Sequence, residues 1–199
     1  MSIINFNSKI DKRIGLLSDE EIKHEVEKCR MIEDFIDQQI DKDEKGNRAL
    51  SYGLSSYGYD MRLSDHFILF HNTHTCIDPK NFDDTCTQTF HSKVCIIPPN
   101  GFVLGCTLEK VNIPEDIMAL CIGKSTYARC GIIVNVTPIE PGTVGHITLE
   151  FSNTAPAPVK LYAHEGICQF LFFRSRQCSI SYKQRKGKYM FQRTVNLPR

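Results

Sequence analysis

The sequence predicts a mainly β protein, a sandwich or barrel preceded by one helix. Three observations carry that expectation. From Gly53 to Gly166 the chain is punctuated by turn residues, among them Gly58, Pro79, Pro98, Pro99, Gly101, Pro114, Pro138, Pro141 and Gly142. Between them lie short apolar or alternating runs, and many short strands with closely spaced turn signals describe an all-β domain. One stretch alone, "SDEEIKHEVEKCRMIEDF", carries a helix-start signature.

In that stretch Ser18 and Glu21 have the spacing of a capping box, and acids crowd the first turn, where the helix dipole favours them. Ile22 and Val26 form a short apolar stripe able to dock on a neighbour. "DKDEKGN" (41–47) reads as a solvated loop. Residues 1–47 are thus expected to form a helical appendage and linker, and 48–199 a β domain. The strand candidates follow in order: "HFILF", "KVCIIP", "FVLGCTL", "IMALCIG", "GIIVNVT", "HITLEF", "VKLYA" and "ICQFLFF". The final segment, about 174–199, is basic and aromatic with little periodicity, either a loose end or an arm that orders over something.

A net charge of +1 with 24% charged residues argues against a nucleic-acid groove or a polybasic membrane surface. Charge is unevenly placed: residues 18–45 hold eleven acids against five Lys or Arg, and 174–199 hold eight Lys or Arg and no acid. A basic segment on a near-neutral chain suits a small polyanion. The nine cysteines are scattered without a Cys-x-x-Cys pair, and the opening "MSIINFNSKIDKR" has no apolar signal-peptide core. They read as reduced, mostly buried thiols of a cytoplasmic protein, and no run is long enough to span a membrane. His164 and Glu165 in "YAHEG" read as a turn. His71 and His74 in "HNTHT", with Cys76 nearby, could meet on one loop, and a built metal site there is not expected.

Some polar residues exceed what a strand requires. In "HITLEF", Ile147, Leu149 and Phe151 share one face and His146, Thr148 and Glu150 the other. Gln169 shares a face with Ile167, Leu171 and Phe173, so its amide needs either a ligand or a core partner. "GKSTYARCG" offers Gly-Lys and two hydroxyls, yet lacks the upstream glycine of a Walker A loop.

The stretch "GKSTYARCGIIVNVTPIEPG…GHITLEFSNT…VKLYAHEGICQFLFF" resembles the signature region of the dCTP deaminases, within the trimeric dUTPase-like superfamily. "SYGLSSYGYDMRLSD" (51–65) resembles the same family's upstream motif, and "SYKQRKGKYMFQ" its nucleotide-covering tail. The resemblance covers roughly residues 50–197. It implies a distorted jelly-roll or β-barrel subunit of the dUTPase-like type, a homotrimer with sites at subunit interfaces, and conversion of dCTP and water to dUTP and ammonia. It further implies Mg²⁺ bound through the triphosphate, no protein-bound catalytic metal, and feedback inhibition by dTTP. The zinc-deaminase signature, H-x-E with a later P-C-x-x-C, is absent from the sequence.

Carried over by that resemblance, Glu150 stands at the general acid/base, Arg129 would hold its carboxylate, and Ser125 would position the attacking water. Lys124 and the backbone of Ser125 and Thr126 would meet phosphate oxygens. Tyr127, Ala128 and Leu149 complete the two nucleotide-binding stretches. Thr148 suits a contact to the base or its water, and Glu140 the sugar 3′-hydroxyl. Gln169, Tyr182, Lys188 and Gln192 match the remaining nucleotide contacts. Two departures stand out: "EPGTVGH" replaces an "EPEWEG"-like loop in a chain without tryptophan, and "KYMFQRTV" replaces a "KYQGQ"-type tail. Competing expectations are a bifunctional enzyme that also releases dUMP and pyrophosphate, plain dUTP hydrolysis, and a non-catalytic nucleotide-binding trimer.

Overall fold

Ser18 opens the helix Asp19–Cys29 with the expected reciprocal box: its Oγ accepts from the Glu21 N–H at 3.4 Å and its own N–H donates to Glu21 Oε2 at 2.9 Å. These coordinates come from a computed structural model, which describes residues 14–71, 76–135 and 137–198. The helix stops earlier than the charged stretch suggested. Arg30 turns left-handed at φ 54° and its N–H donates to Val26 O, so that Met31 and Ile32 swing directly into the core.

Two antiparallel sheets carry the rest. The larger runs in the order Pro138–Ile139, Ile117–Gly123, Gly166–Arg174, Gly58–Arg62, Arg48–Ser55, Gln39–Lys42, with Gly15–Leu16 also paired to Gly166–Arg174. The smaller runs Ile132–Val134, Thr148–Asn153, Phe102–Cys106, His66–Phe70, Thr87–His91. Two short ribbons, Val144–Gly145 with Val111–Asn112 and Val159–Tyr162 with Val94–Ile97, flank them. The sheets stay open among the described residues, so the architecture is a jelly-roll-like sandwich. Val103, Leu149 and Phe151 from one sheet and Tyr59, Phe170 and Phe172 from the other belong to one buried cluster. Each such side chain contributes about 2 kcal/mol by leaving water.

From Gly15 onward the N-terminal segment is joined to this sandwich at several points. Gln39–Lys42 is a strand of the larger sheet, and Ile22 sits fully buried in the shared core. Glu25, one turn along, is also buried, because its carboxylate accepts from Arg174 Nη2 at 2.5 Å. The first cation of the basic C-terminal segment is therefore held by the acidic helix, with Glu21 and Asp116 as further ion-pair partners. All nine cysteines are free and five of them are buried. His164 occupies a turn at φ 66°, and His74 lies outside the described residues.

Candidate active site

The strand Thr148–Asn153 alternates strictly, its Leu149, Phe151 and Asn153 buried and its Thr148, Glu150 and Ser152 facing the other way. Thr148 and Glu150 open onto a cavity of about 520 Å³, a size suited to a small molecule. Glu140, Tyr182 and Gln192 line the same cavity. Removal from water pushes the Glu150 carboxyl from 4.5 up to about 7, and among the described residues no basic side chain offsets that cost. A carboxyl that gains and loses its proton near neutrality is matched to general acid/base work.

The C-terminal segment closes one wall by running along its own chain. The Tyr182 N–H donates to Pro141 O at 2.9 Å, the Phe191 N–H to Val144 O at 2.7 Å, and the His146 N–H to Gln192 O at 2.9 Å. The Thr148 hydroxyl donates to Gln192 Oε1 at 2.7 Å. Farther on, Thr194 bonds to His66 Nδ1, and Val195 is buried with Ile68, Leu104 and Cys106. Lys188 instead lies exposed over the Tyr189 ring, 5.7 Å from its centroid.

The remaining sequence-predicted residues gather elsewhere. The short helix Ser125–Ala128 presents Ser125, Thr126, Ala128 and its C-cap Arg129 to solvent. Arg129 Nη1 donates to the Ser125 carbonyl at 3.3 Å, and neither residue lines the Glu150 cavity. The expected Arg129–Glu150 contact is thus not made within one chain. Lys124 is turned inward, its Nζ 2.6 Å from Asp60 Oδ2. Gln169 Nε2 donates to Ser55 Oγ at 2.9 Å, answering the question its apolar strand raised with a protein partner. Tyr127 is a core residue whose hydroxyl accepts from the Tyr162 N–H at 3.1 Å, and burial raises its phenol. With Leu149 it can offer a ligand its backbone but not its side chain.

Against this geometry stand the relatives. The sequence pattern of the dCTP deaminase-like family matches residues 16–175. The chain is 55% identical over 187 residues to the dCTP deaminase of Orientia tsutsugamushi (strain Boryong), covering 93% of this chain and 99% of that one. It is 52% identical over 188 residues to the dCTP deaminase of Burkholderia cenocepacia (strain HI2424), covering 94% and 100%. The chain belongs to the dCTP deaminase-like family. The fold agrees: the crystal structure of 2′-deoxycytidine 5′-triphosphate deaminase from Agrobacterium tumefaciens aligns at TM-score 0.59 and 16% identity. That alignment covers 81% of this chain, which spans 48% of the Agrobacterium chain.

As a dCTP deaminase-like protein, this chain departs from the motifs of the resemblance where the tail docks. Phe191 takes a left-handed φ of 58° with its ring exposed, at the position of the glycine in a "KYQGQ"-type tail. In the 141–145 loop Gly142 and Gly145 have φ of 82° and 136°, and the tail backbone packs directly on Gly145. Sequence reasoning missed several cavity residues. Phe70, Phe82, Phe102 and Leu104 come from strands and a loop that pattern assigns only to packing, and Asn196 and Leu197 from a tail without periodicity. Asp60 was legible as an acid amid "GYDMR", but no local pattern names Lys124 as its partner. Among the described residues no group of three or more His, Cys, Asp or Glu converges as a metal cage.

Proposed function

We propose that the chain hydrolyses dCTP to dUTP and ammonia in a homotrimer whose active sites each combine two neighbouring copies. The observation that carries the reading is Glu150, half-buried at the cavity beside Thr148, its carboxyl pushed up to about 7 by desolvation. The close relatives named dCTP deaminase support the same reaction.

The ionised Glu150 carboxylate takes a proton from a water held against C4 of the cytosine ring. The water oxygen bonds to C4 and the C4–N3 π electrons move to N3, which Glu150 protonates. Glu150 then takes the proton of the new C4 hydroxyl and passes it to the exocyclic amine, so the C4–N bond breaks, ammonia leaves, the uracil C4 carbonyl forms and Glu150 is ionised again. Thr148, on the same strand face, contacts the base or its water, and Glu140 meets the 3′-hydroxyl. Tyr182, Gln192 and Lys188 cover the nucleotide from the tail. Ser125 and Arg129 are exposed in one chain while Glu150 lacks the cation its role requires. Contribution of Ser125 and Arg129 by a neighbouring copy, with Lys124 just before their helix and Gln169 from the adjoining strand Gly166–Arg174, satisfies both. Magnesium, carried by the triphosphate, would neutralise its charge. dTTP, with the same sugar and phosphates, would compete for the site, and the reaction belongs with cytoplasmic nucleotide supply.

Subunit mixing tests the composite site. Glu150→Gln and Arg129→Ala homotrimers should each lose about 10²-fold or more in kcat. Co-refolded in equal amounts they should regain active sites, about a quarter of the total by random assembly of a three-fold ring. Mixtures as inactive as their parents would contradict a site shared between copies.

A further inference from the structure

Strand Gly58–Arg62 buries its first four residues, and the third of them is Asp60. A carboxylate in such a place costs several kcal/mol unless paired. Asp60 Oδ2 is paired twice, with Lys124 Nζ at 2.6 Å and with Gln39 Nε2 at 3.1 Å. The Asp60 and Lys124 side chains are 6% and 11% exposed. Between the two backbones runs the strand Gly166–Arg174, where Gln169 stands in register with Asp60 on one side and Ile122 on the other. Lys124 therefore reaches over the Gln169 strand to find its carboxylate.

We propose that Asp60 is a positioning residue for triphosphate recognition, fixing the Lys124 ammonium at the edge of the nucleotide site. The proposal rests on the reading that Lys124 meets phosphate. A free lysine stem carries rotamer entropy that a ligand must otherwise overcome on binding. Asp60 removes that freedom beforehand while occupying one of the three ammonium donors, and two remain for phosphate oxygens. Gln39, from the hairpin outside the signature region, donates to the same carboxylate oxygen and helps to fix it.

Steady-state kinetics on the full-length protein, with thermal unfolding as a control, decide the matter. Asp60→Asn should raise KM for dCTP about tenfold while kcat stays within about threefold. The double variant Asp60→Asn/Lys124→Ala should be no worse than Lys124→Ala alone, because the two residues act as one unit. A merely structural aspartate would instead lower kcat and melting temperature and add its effect to that of Lys124→Ala. If Asp60→Asn does not fold, Gln39→Leu carries the test from the exposed end. It should raise KM about threefold, and not at all in a Lys124→Ala background. An unchanged KM in Lys124→Ala would overturn the phosphate role of Lys124 and the proposal with it. An impaired Lys124→Ala beside an Asp60→Asn or Gln39→Leu protein of normal KM would overturn the proposal alone.

Discussion

The Thr148 hydroxyl donates to Gln192 Oε1 at 2.7 Å, tying the strand that carries Glu150 to the tail that walls its cavity. Three further contacts fasten the tail in sequence: Phe191 N–H to Val144 O, His146 N–H to Gln192 O, and Thr194 to His66. The C-terminal arm is thus part of the wall of that cavity.

Gly145 is the position where that arrangement is most easily broken. A Cβ there would stand 2.7 Å from the Gln192 nitrogen and 2.9 Å from its oxygen, at a φ of 136° that side chains rarely adopt. Gly145→Ala should displace the tail and raise KM for dCTP about tenfold, with a smaller loss in kcat. Steady-state kinetics check it, and an unchanged KM would show that tail docking at 145 does not shape the site.

The ionisation of Glu150 gives a pH prediction with a definite sign. Activity needs the carboxylate, so kcat/KM rises with pH through the pKa of the free enzyme and then levels. In the single chain that value is about 7, raised from 4.5 by burial. A neighbouring copy's Arg129 beside it favours the ionised form and moves the limb lower. The residual activity of Arg129→Ala should therefore show an acid limb shifted up towards about 7. A limb at the same pH in both proteins would contradict the pairing. The same raised value means that the unassembled subunit loses stability as pH climbs from the unfolded pKa of 4.5 through about 7, since the fold then holds an ionised, desolvated carboxylate.

Arg174 and Glu25 pair at 2.5 Å with side chains 3% and 2% exposed. Removing one partner of a buried pair strands the other, at a cost of about 3–5 kcal/mol. Arg174→Ala should therefore lower stability by about that amount in urea unfolding. Arg174→Met/Glu25→Leu, which removes both charges and fills the volume, should cost less.

These residues also show what the sequence could and could not reveal. The "HITLEF" alternation was readable because a strand with one buried face has a period of two, and Leu149 and Phe151 are buried as that period requires. The helix start was readable because a capping box is local. The hairpin Arg48–Ser55/Gly58–Arg62 was hidden, because Gly53 and Gly58 look like breakers. Both are instead close-approach points: a Cβ on Gly53 would lie 2.2 Å from Gln38 O, and one on Gly58 2.7 Å from Phe170 O. The Lys124–Asp60 pair spans 64 positions of sequence, and no periodicity encodes such a meeting. The Arg129–Glu150 contact, expected from the resemblance, is not made within one chain, and the trimer proposed above would make it between copies.

The most direct measurement is to incubate the purified protein with dCTP and Mg²⁺, separate the nucleotides and assay ammonia. The expected result is dUTP and ammonia in equal amounts, with neither formed by Glu150→Gln. Ammonia accompanied by dUMP and pyrophosphate would keep deamination and add hydrolysis of the phosphate chain. Bound dCTP recovered intact, without ammonia, would contradict the account at its centre.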